Sequence, residues 1–183
     1  MAYLSSALHH NSIYYARILR NLMGLLEASC RDSFYEVLPR GVQVWVPEGN
    51  WGIYPDLTVI AGEPLFHEGY ANRLTNPCLL FEILSEPTEG YEPTADTMLE
   101  RSGNFSACRH IPYLQEYVFV HQHNPKVEQF YRATDDVWEL AIYEGLEAVV
   151  ELNLTDTRLP LSNIYHGVEL APIHTSLGYT ESE

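Results

Sequence analysis

The strands that organise this chain lie within residues 54–85, which read YPDLTVIAGEPLFHEGYANRLTNPCLLFEILS. Two apolar runs stand out, residues 57–60 and 78–84, and each is bounded by turn-forming residues. Short apolar runs between turn formers predict strands that are covered on both faces of a sheet. We therefore expect these two strands at the centre of the fold.

Two acidic residues fall where such strands should be buried. Asp56 directly precedes the first run, and Glu82 lies inside the second. An ionised carboxylate in apolar surroundings costs several kcal/mol unless a cation or hydrogen bonds compensate, and few cationic side chains lie near either acid in sequence. This pattern favours a divalent metal as partner. The alternative is that Asp56 caps a turn after Pro55 and that Glu82 meets an arginine from elsewhere.

The chemistry of this pair points to phosphodiester hydrolysis. Two carboxylates and a backbone carbonyl are sufficient to hold Mg²⁺ or Mn²⁺, which prefer oxygen ligands and keep waters that a phosphate can displace. Such an ion lowers the pKa of a bound water and neutralises charge that develops on a phosphodiester. Spacing alone is a weak signal, because many proteins contain a Pro-Asp and a later strand glutamate.

The bulk composition is that of a globular domain. With 183 residues we expect a single domain, with its core between about residues 10 and 170 and a loose C-terminal tail. No apolar run approaches the about 20 residues of a membrane-spanning helix, and the N-terminus does not resemble a secretory signal. Cys30, Cys78 and Cys108 lack metal-type spacing, so we expect reduced thiols in the core of a cytoplasmic protein.

Net charge opposes simple attraction to nucleic acid. The formal net charge is −15, with nine arginines and a single lysine, Lys126. Such a charge repels a polyanion at long range. Any nucleic-acid function must overcome this repulsion.

One long helix and a series of short strands are predicted outside residues 54–85. Apolar residues recur every three or four positions between residues 10 and 28, which predicts an amphipathic helix capped by Asn11 or Ser12. Strands at 34–38, 42–46 and 51–54 predict an antiparallel meander that leads into Asp56. The remaining predicted elements are a loop at 62–76, a loop at 85–94, a helix at 95–108, strands at 117–120, 127–131, 138–143 and 149–152, and a helical turn at 161–165.

Five short motifs occur in order along the chain: YPDLTVIAG at 54–62, LTNP at 74–77, FEILS at 81–85 with Thr88 beyond it, IPYLQEY at 111–117 and LSNIY at 161–165. Together they resemble the Uma family of restriction-type endonucleases, within the PD-(D/E)XK nuclease superfamily. The resemblance runs from about residue 10 to residue 165. It implies a restriction endonuclease-like fold of the α+β class (α/β/α-like), with a mixed central β-sheet flanked by helices.

The resemblance also implies a site. Asp56 and Glu82 match the superfamily's two metal-binding acids, and the carbonyl of Ile83 matches a further ligand to Mg²⁺ or Mn²⁺. The implied substrate is DNA, and a homodimer is in keeping with the family.

One part of the superfamily's site is missing from this chain. The E-x-K element has a lysine two residues after the glutamate, where this chain has Leu84. The branch that it resembles carries a displaced lysine on the following helix, where this chain has Asn104. We therefore count Asn104 as the third candidate catalytic residue, with Arg101 or Arg109 as alternative sources of the missing charge.

The missing lysine leaves two functions open. Loss of one electrostatic donor of this kind can cost about 10²–10³ in rate, so the first is an endonuclease of reduced activity. The second is a catalytically reduced nuclease-fold protein that acts as a protein-binding or regulatory module. A separate metal site at His121 and His123, two residues apart at a strand end, is a weaker alternative.

Overall fold

The structure, a computed structural model, describes residues 12–84 and 104–170. The described part of the chain contains one long helix, short helical segments and a set of strands. In chain order the elements are α1 (Ile13–Cys30), β1 (Tyr35–Pro39), β2 (Gln43–Val46), β3 (Trp51–Ile53), β4 (Leu57–Ala61), β5 (Arg73–Leu74), β6 (Pro77–Leu84), α2 (residues 104–108), β7 (Glu116–His121), β8 (Lys126–Thr134), β9 (Val137–Glu144), β10 (Val149–Leu152), β11 (Thr157–Pro160) and α3 (Leu161–Ile164).

The two acid-bearing strands, β4 and β6, lie side by side in a six-stranded sheet of order β1-β4-β6-β7-β8-β9. They pair antiparallel, so the start of β4 lies beside the end of β6. β6 and β7 run parallel, whereas the other neighbouring strands of this sheet run antiparallel. This mixed central sheet with flanking helices confirms the predicted α+β architecture.

Apolar side chains cover both faces of the central strands. On one face, α1, α3 and the β10–β11 hairpin pack against Leu57, Val59 and Leu79. On the other face, β2, β3 and the segment that follows α2 pack against Ile60 and Leu80. Burial on both faces explains why β4 and β6 are continuous apolar runs rather than alternating ones.

Helix α1 packs on the sheet at the predicted period. Ser12, one of the two predicted caps, is the N-cap, and its Oγ accepts the backbone N–H of Tyr15 at 3.0 Å. Ile13, an apolar residue of this stretch, is 58% exposed, because it lies two positions from Tyr15 and so on a different side of the helix. The buried positions of α1 are Tyr15, Ile18, Leu22, Leu26 and Cys30.

The predicted meander from residue 34 to residue 54 is wrong at its first turn. β1 pairs with β4 in the central sheet, whereas β2 pairs with β3 and β5 in a separate three-stranded sheet. Pro39 ends β1, and Gly41 follows with φ of +140°, a conformation that side chains other than glycine rarely adopt. The chain thus leaves one sheet and enters another at Arg40, and only the β2–β3 hairpin of the meander is present.

Most other predicted elements are confirmed. β7, β8, β9 and β10 overlap the four predicted strands, and α3 overlaps the predicted helical turn. β5 within the predicted loop, and β11, were missed because both are short and carry few apolar residues. The three cysteines are buried free thiols, as predicted.

Three predictions fall outside the described residues. They are the loop at 85–94, the first part of the helix at 95–108, and the tail beyond residue 170. No helix among the described residues has the length and apolar character needed to cross a lipid bilayer.

Replacing Leu22 with alanine should lower the free energy of unfolding by about 2–5 kcal/mol, because Leu22 is fully buried between α1 and the sheet. The matched control is Ile13→Ala on the same helix, where exposure predicts a change within about 0.5 kcal/mol. Urea denaturation of both variants measures the difference. Equal effects would contradict this placement of α1.

Candidate active site

Asp56 is the most deeply buried acid of the site, with a side chain 3% exposed. Oδ1 accepts the hydroxyl of Tyr15 at 2.7 Å and Nη1 of Arg40 at 3.1 Å. Oδ2 accepts the backbone N–H of Ile83 at 2.7 Å. These donors come from α1, from the turn after β1 and from β6, and together they offset the loss of water around the carboxylate.

The cation beside the acids comes from a part of the chain that sequence proximity did not indicate. Arg40 precedes Asp56 by 16 residues and forms a salt bridge with it. The alternative considered above placed an arginine beside Glu82 instead. Asp56, rather than Glu82, forms the ion pair, because its carboxylate faces the turn between β1 and β2 that carries Arg40.

Glu82 is half-buried on β6, one strand from Asp56. Its Oε1 accepts the hydroxyl of Tyr117, which lies on the neighbouring strand β7, at 2.5 Å. Asn104, at the start of the described part of α2, also hydrogen-bonds to the Glu82 side chain. The residue at the displaced-lysine position therefore contacts the second acid.

The surroundings of Glu82 make its charge sensitive to pH near neutrality. Burial raises the pKa of Glu82 to about 7, and the negative charge of Asp56 adds to the increase. Hydrogen bonds from Tyr117 and Asn104 and the charge of Arg40 lower the pKa, but they do not cancel the effect of burial. The two carboxylates are thus close enough to repel each other, a situation that a bound cation relieves.

Ile83 connects the two acids, because it follows Glu82 in the chain and its backbone N–H contacts Asp56. Its N–H is directed at Asp56 rather than at a strand partner. In an extended strand the N–H and C=O of one residue point toward the same neighbouring strand. The carbonyl of Ile83 therefore faces the same side as Asp56, while its side chain packs into the core.

The donor set fits a hard divalent cation. The described residues hold no group of three or more His, Cys, Asp and Glu side chains that could bind a metal, so the candidate ligands are two carboxylates and one carbonyl. These are the oxygen ligands that Mg²⁺ and Mn²⁺ prefer. A carboxylate has about four acceptor positions, and the described residues occupy three of those on Asp56. One position on Oδ2 remains for a cation.

Three of the other candidate residues are described, and each contacts a partner other than the acid pair. Nε2 of His121 is 3.2 Å from Oε1 of Glu128, whereas the ring of His123 packs edge-on against Tyr14, so the two histidines turn to different partners. Arg109 is an exposed residue that follows α2. Arg101 lies outside the described residues.

Three residues of the site were missed in the sequence: Tyr15, Arg40 and Tyr117. Both tyrosines occupy positions where their rings belong to the core, and an apolar pattern carries no information about the hydroxyl. Arg40 lies in a turn, where a charged residue is ordinarily solvated. The one signal for any of them was Tyr117, which ends the motif at 111–117.

The mixed central sheet with flanking helices places the chain in a class, the proteins of restriction-endonuclease-like fold. A family model described as "Uma2: Putative restriction endonuclease" matches residues 11–162, most of the chain. The chain belongs to this Uma2 family, which confirms the resemblance found in its motifs.

The chain is also similar to individual proteins. It is 32% identical over 137 residues to the uncharacterized protein sll1609 of Synechocystis sp. strain PCC 6803, across 75% of this chain and 73% of that protein. It is 28% identical over 95 residues to slr1290 of the same organism, across 52% and 45% of the two chains. The crystal structure of "a putative nuclease belonging to DUF820" from Anabaena variabilis aligns with a TM-score of 0.63 and 14% identity, covering 84% of this chain and 81% of that one. This match shows the shared fold.

Glu82→Gln should stabilise the ion-free protein, and the gain should grow with pH. The folded-state pKa of Glu82, about 7, lies above its ordinary value of 4.5, so the protonated form favours folding. That contribution is complete below pH 4.5 and is lost as the pH rises through 7. Glutamine stays neutral throughout, so the melting temperature of the variant should match wild type at acid pH and exceed it by roughly 10 °C in alkaline buffer.

Thermal melts across this pH range, in buffer with a chelator, measure the effect. Glu144→Gln is the matched control, because Glu144 has a side chain 68% exposed and pairs only loosely with Lys126, at 3.5 Å. A difference between Glu82→Gln and wild type that does not change with pH would contradict the raised pKa.

Proposed function

We propose that this protein is a metal-dependent endonuclease that hydrolyses phosphodiester bonds in DNA at Asp56 and Glu82. The observation that carries the proposal is that the two acids lie at adjacent strands, where Oδ2 of Asp56 accepts the N–H of Ile83, the residue next to Glu82. Membership of a family described as restriction endonucleases supports a nucleic-acid substrate. The chain also shares its fold with the Anabaena variabilis structure described as "a putative nuclease".

Asp56, Glu82 and the carbonyl of Ile83 are the residues that would hold Mg²⁺ or Mn²⁺. When bound, such an ion acts as a Lewis acid on a phosphoryl oxygen and makes water a better nucleophile at neutral pH. The protein's own contribution is to supply both acids in ionised form. Glu82 reaches that form as the pH rises through about 7, so we expect ion binding to strengthen over the same range.

The hydrogen-bonded tyrosines fix the geometry of the acids. Tyr15 holds Asp56 and Tyr117 holds Glu82, each through its hydroxyl. A tyrosine hydroxyl donates without adding positive charge, so these two contacts do not themselves neutralise the carboxylates. Such preorganisation lowers the reorganisation needed during reaction.

Hydrolysis joins the oxygen of a water to phosphorus, breaks one ester P–O bond and leaves a phosphate monoester and an alcohol. Negative charge increases on the phosphoryl oxygens in the transition state, and the described site meets it with few cations. Asn104 donates a hydrogen bond but no charge. We therefore expect slow turnover, in keeping with the absence of lysine at residues 84 and 104.

We place the protein in the cytoplasm, because reducing compartments preserve free thiols and Cys30, Cys78 and Cys108 are all unpaired and buried. A homodimer is the oligomeric state that we propose. β9 supports it, as an edge strand of the central sheet with exposed apolar side chains. These side chains are Val137, Leu140 and Ile142.

The same edge favours a second candidate function, a protein-binding module that retains the nuclease fold. An exposed strand edge can accept a strand from another protein. The salt bridge between Arg40 and Asp56 also neutralises one acid without any metal. In this alternative the acid pair is structural.

A plasmid assay separates the two functions. With Mn²⁺, the wild-type protein should convert supercoiled DNA to nicked and linear forms, and a chelator should stop the reaction. Glu82→Gln should reduce the rate by at least about 10², because the neutral amide cannot bind the cation as a carboxylate does. Glu144→Gln, a glutamate with an exposed side chain outside the site, should cleave at the wild-type rate.

The protein-binding alternative predicts no Mn²⁺-dependent cleavage. Cleavage that persists in Glu82→Gln would also contradict the proposal, since it would come from another site or from a contaminant. Glu82→Gln is preferred to Asp56→Ala as the inactive variant because alanine would leave the donors of Tyr15, Arg40 and Ile83 without their acceptor.

A further inference from the structure

We propose that Arg40 supplies the positive charge that the missing lysine would provide, by contacting the phosphate of the substrate from its place beside Asp56. This inference rests on the proposed function and names a catalytic residue that neither the family motifs nor the spacing of the acids indicates. Arg40 enters the site from the turn between β1 and β2, a different element from those that carry the two lysine positions, residues 84 and 104.

The backbone on either side of Arg40 fixes its position. Pro39 closes the edge strand β1, and the φ of +140° at Gly41 turns the chain toward the second sheet. The side chain at this corner therefore projects over the start of β4, where Asp56 lies. Nη1 of Arg40 reaches Oδ1 of Asp56 at 3.1 Å.

The guanidinium lies on the solvent side of the acid that it contacts. The side chain of Arg40 is 32% exposed, whereas that of Asp56 is 3% exposed. Part of the Arg40 side chain is thus accessible from solvent beside an acid that is not. In a chain of net charge −15, this local positive charge is what a phosphate requires to come near two carboxylates.

Arg40 acts on both acids. Its contact is with Asp56, but its charge also lowers the pKa of Glu82 on the next strand. Within residues 12–84 and 104–170, Arg40 is the one cationic side chain that forms an ion pair with either acid. Lys126 and Arg132 are held elsewhere, the first by Glu128 and Glu144 and the second by backbone carbonyls.

The geometry of an arginine allows both contacts at once. A guanidinium has five N–H donors in a planar fork that matches the oxygens of a phosphate, so it can hold a carboxylate and still meet a second anion. The remaining acceptor position of Asp56 is on Oδ2, away from Arg40, so a cation bound there does not require the arginine to leave. Arg40 would then lie beside the reacting phosphate and stabilise charge in the transition state.

The competing explanation is that Arg40 only neutralises the buried Asp56. In that case its removal would lower stability, and any effect on substrate would follow from loss of the fold. A lysine introduced at residue 104 distinguishes the two roles. It would return a positive charge beside Glu82 without rebuilding the ion pair at Asp56.

The experiment compares Arg40→Gln, Arg40→Lys, the double variant Arg40→Gln/Asn104→Lys and the control Arg158→Gln. Arg158 has a side chain 70% exposed and pairs only with Glu151 on the hairpin strand beside it. Binding is measured by fluorescence anisotropy of a labelled DNA duplex, with Ca²⁺ in place of Mn²⁺. Cleavage is measured with Mn²⁺, and thermal melts confirm that each variant is folded.

Arg40→Gln should weaken duplex binding about tenfold and slow cleavage by about 10²–10³. Where the loss caused by Arg40→Gln is larger than tenfold, adding Asn104→Lys should recover a factor of at least about ten. Arg158→Gln should match wild type. The inference is overturned if folded Arg40→Gln binds and cleaves like the control, or if Asn104→Lys restores nothing. Should Arg40→Gln melt too early to assay, Arg40→Lys decides: loss of the fork should weaken binding about threefold, and wild-type affinity would overturn the inference.

Failure of the proposed function has a different signature. A wild-type protein that binds the duplex through Arg40 but leaves it intact with Mn²⁺ would refute the hydrolase and support the phosphate contact. Cleavage that depends on Glu82 but not on Arg40 would support the hydrolase and refute the role of Arg40.

Discussion

A carboxylate that is removed from water must be compensated by donors or by positive charge, and Asp56 imposes this condition on three elements at once. Asp56 accepts hydrogen bonds from Tyr15 at the start of α1, from Arg40 in the turn after β1 and from the N–H of Ile83 near the end of β6. If one donor were displaced, a buried charge would lose part of its compensation. One side chain therefore links the helix, the turn and the two central strands.

Local sequence patterns were sufficient for the centre of the fold. β4 and β6 are apolar runs between turn formers, and α1 follows the helical period of its buried residues. The corner at Arg40 was beyond such patterns, because Pro39 and Gly41 indicate a turn equally well whether the next strand pairs back or joins another sheet. Pairing between sheets is decided by packing over distances in sequence that no local window covers.

The site divides in the same way. Asp56 and Glu82 were recognisable because a charge inside an apolar strand needs an explanation, and Asn104 because a family motif places a residue there. Tyr15 and Tyr117 carry the same physical weight in the site, yet their rings satisfy the apolar pattern and conceal the role of the hydroxyl. A hydrogen bond between groups 41 or 35 residues apart leaves no trace in spacing.

The distances along the chain between these partners also determine when the site assembles during folding. The partners of Asp56 lie 41, 16 and 27 positions away along the chain, and β6 must acquire β7 before Tyr117 reaches Glu82. The entropy cost of closing such long loops comes before the contacts between their ends contribute any stabilisation. The two acids therefore become neighbours once β4 and β6 have paired, and Glu82 gains its hydroxyl donor only after β7 has joined them.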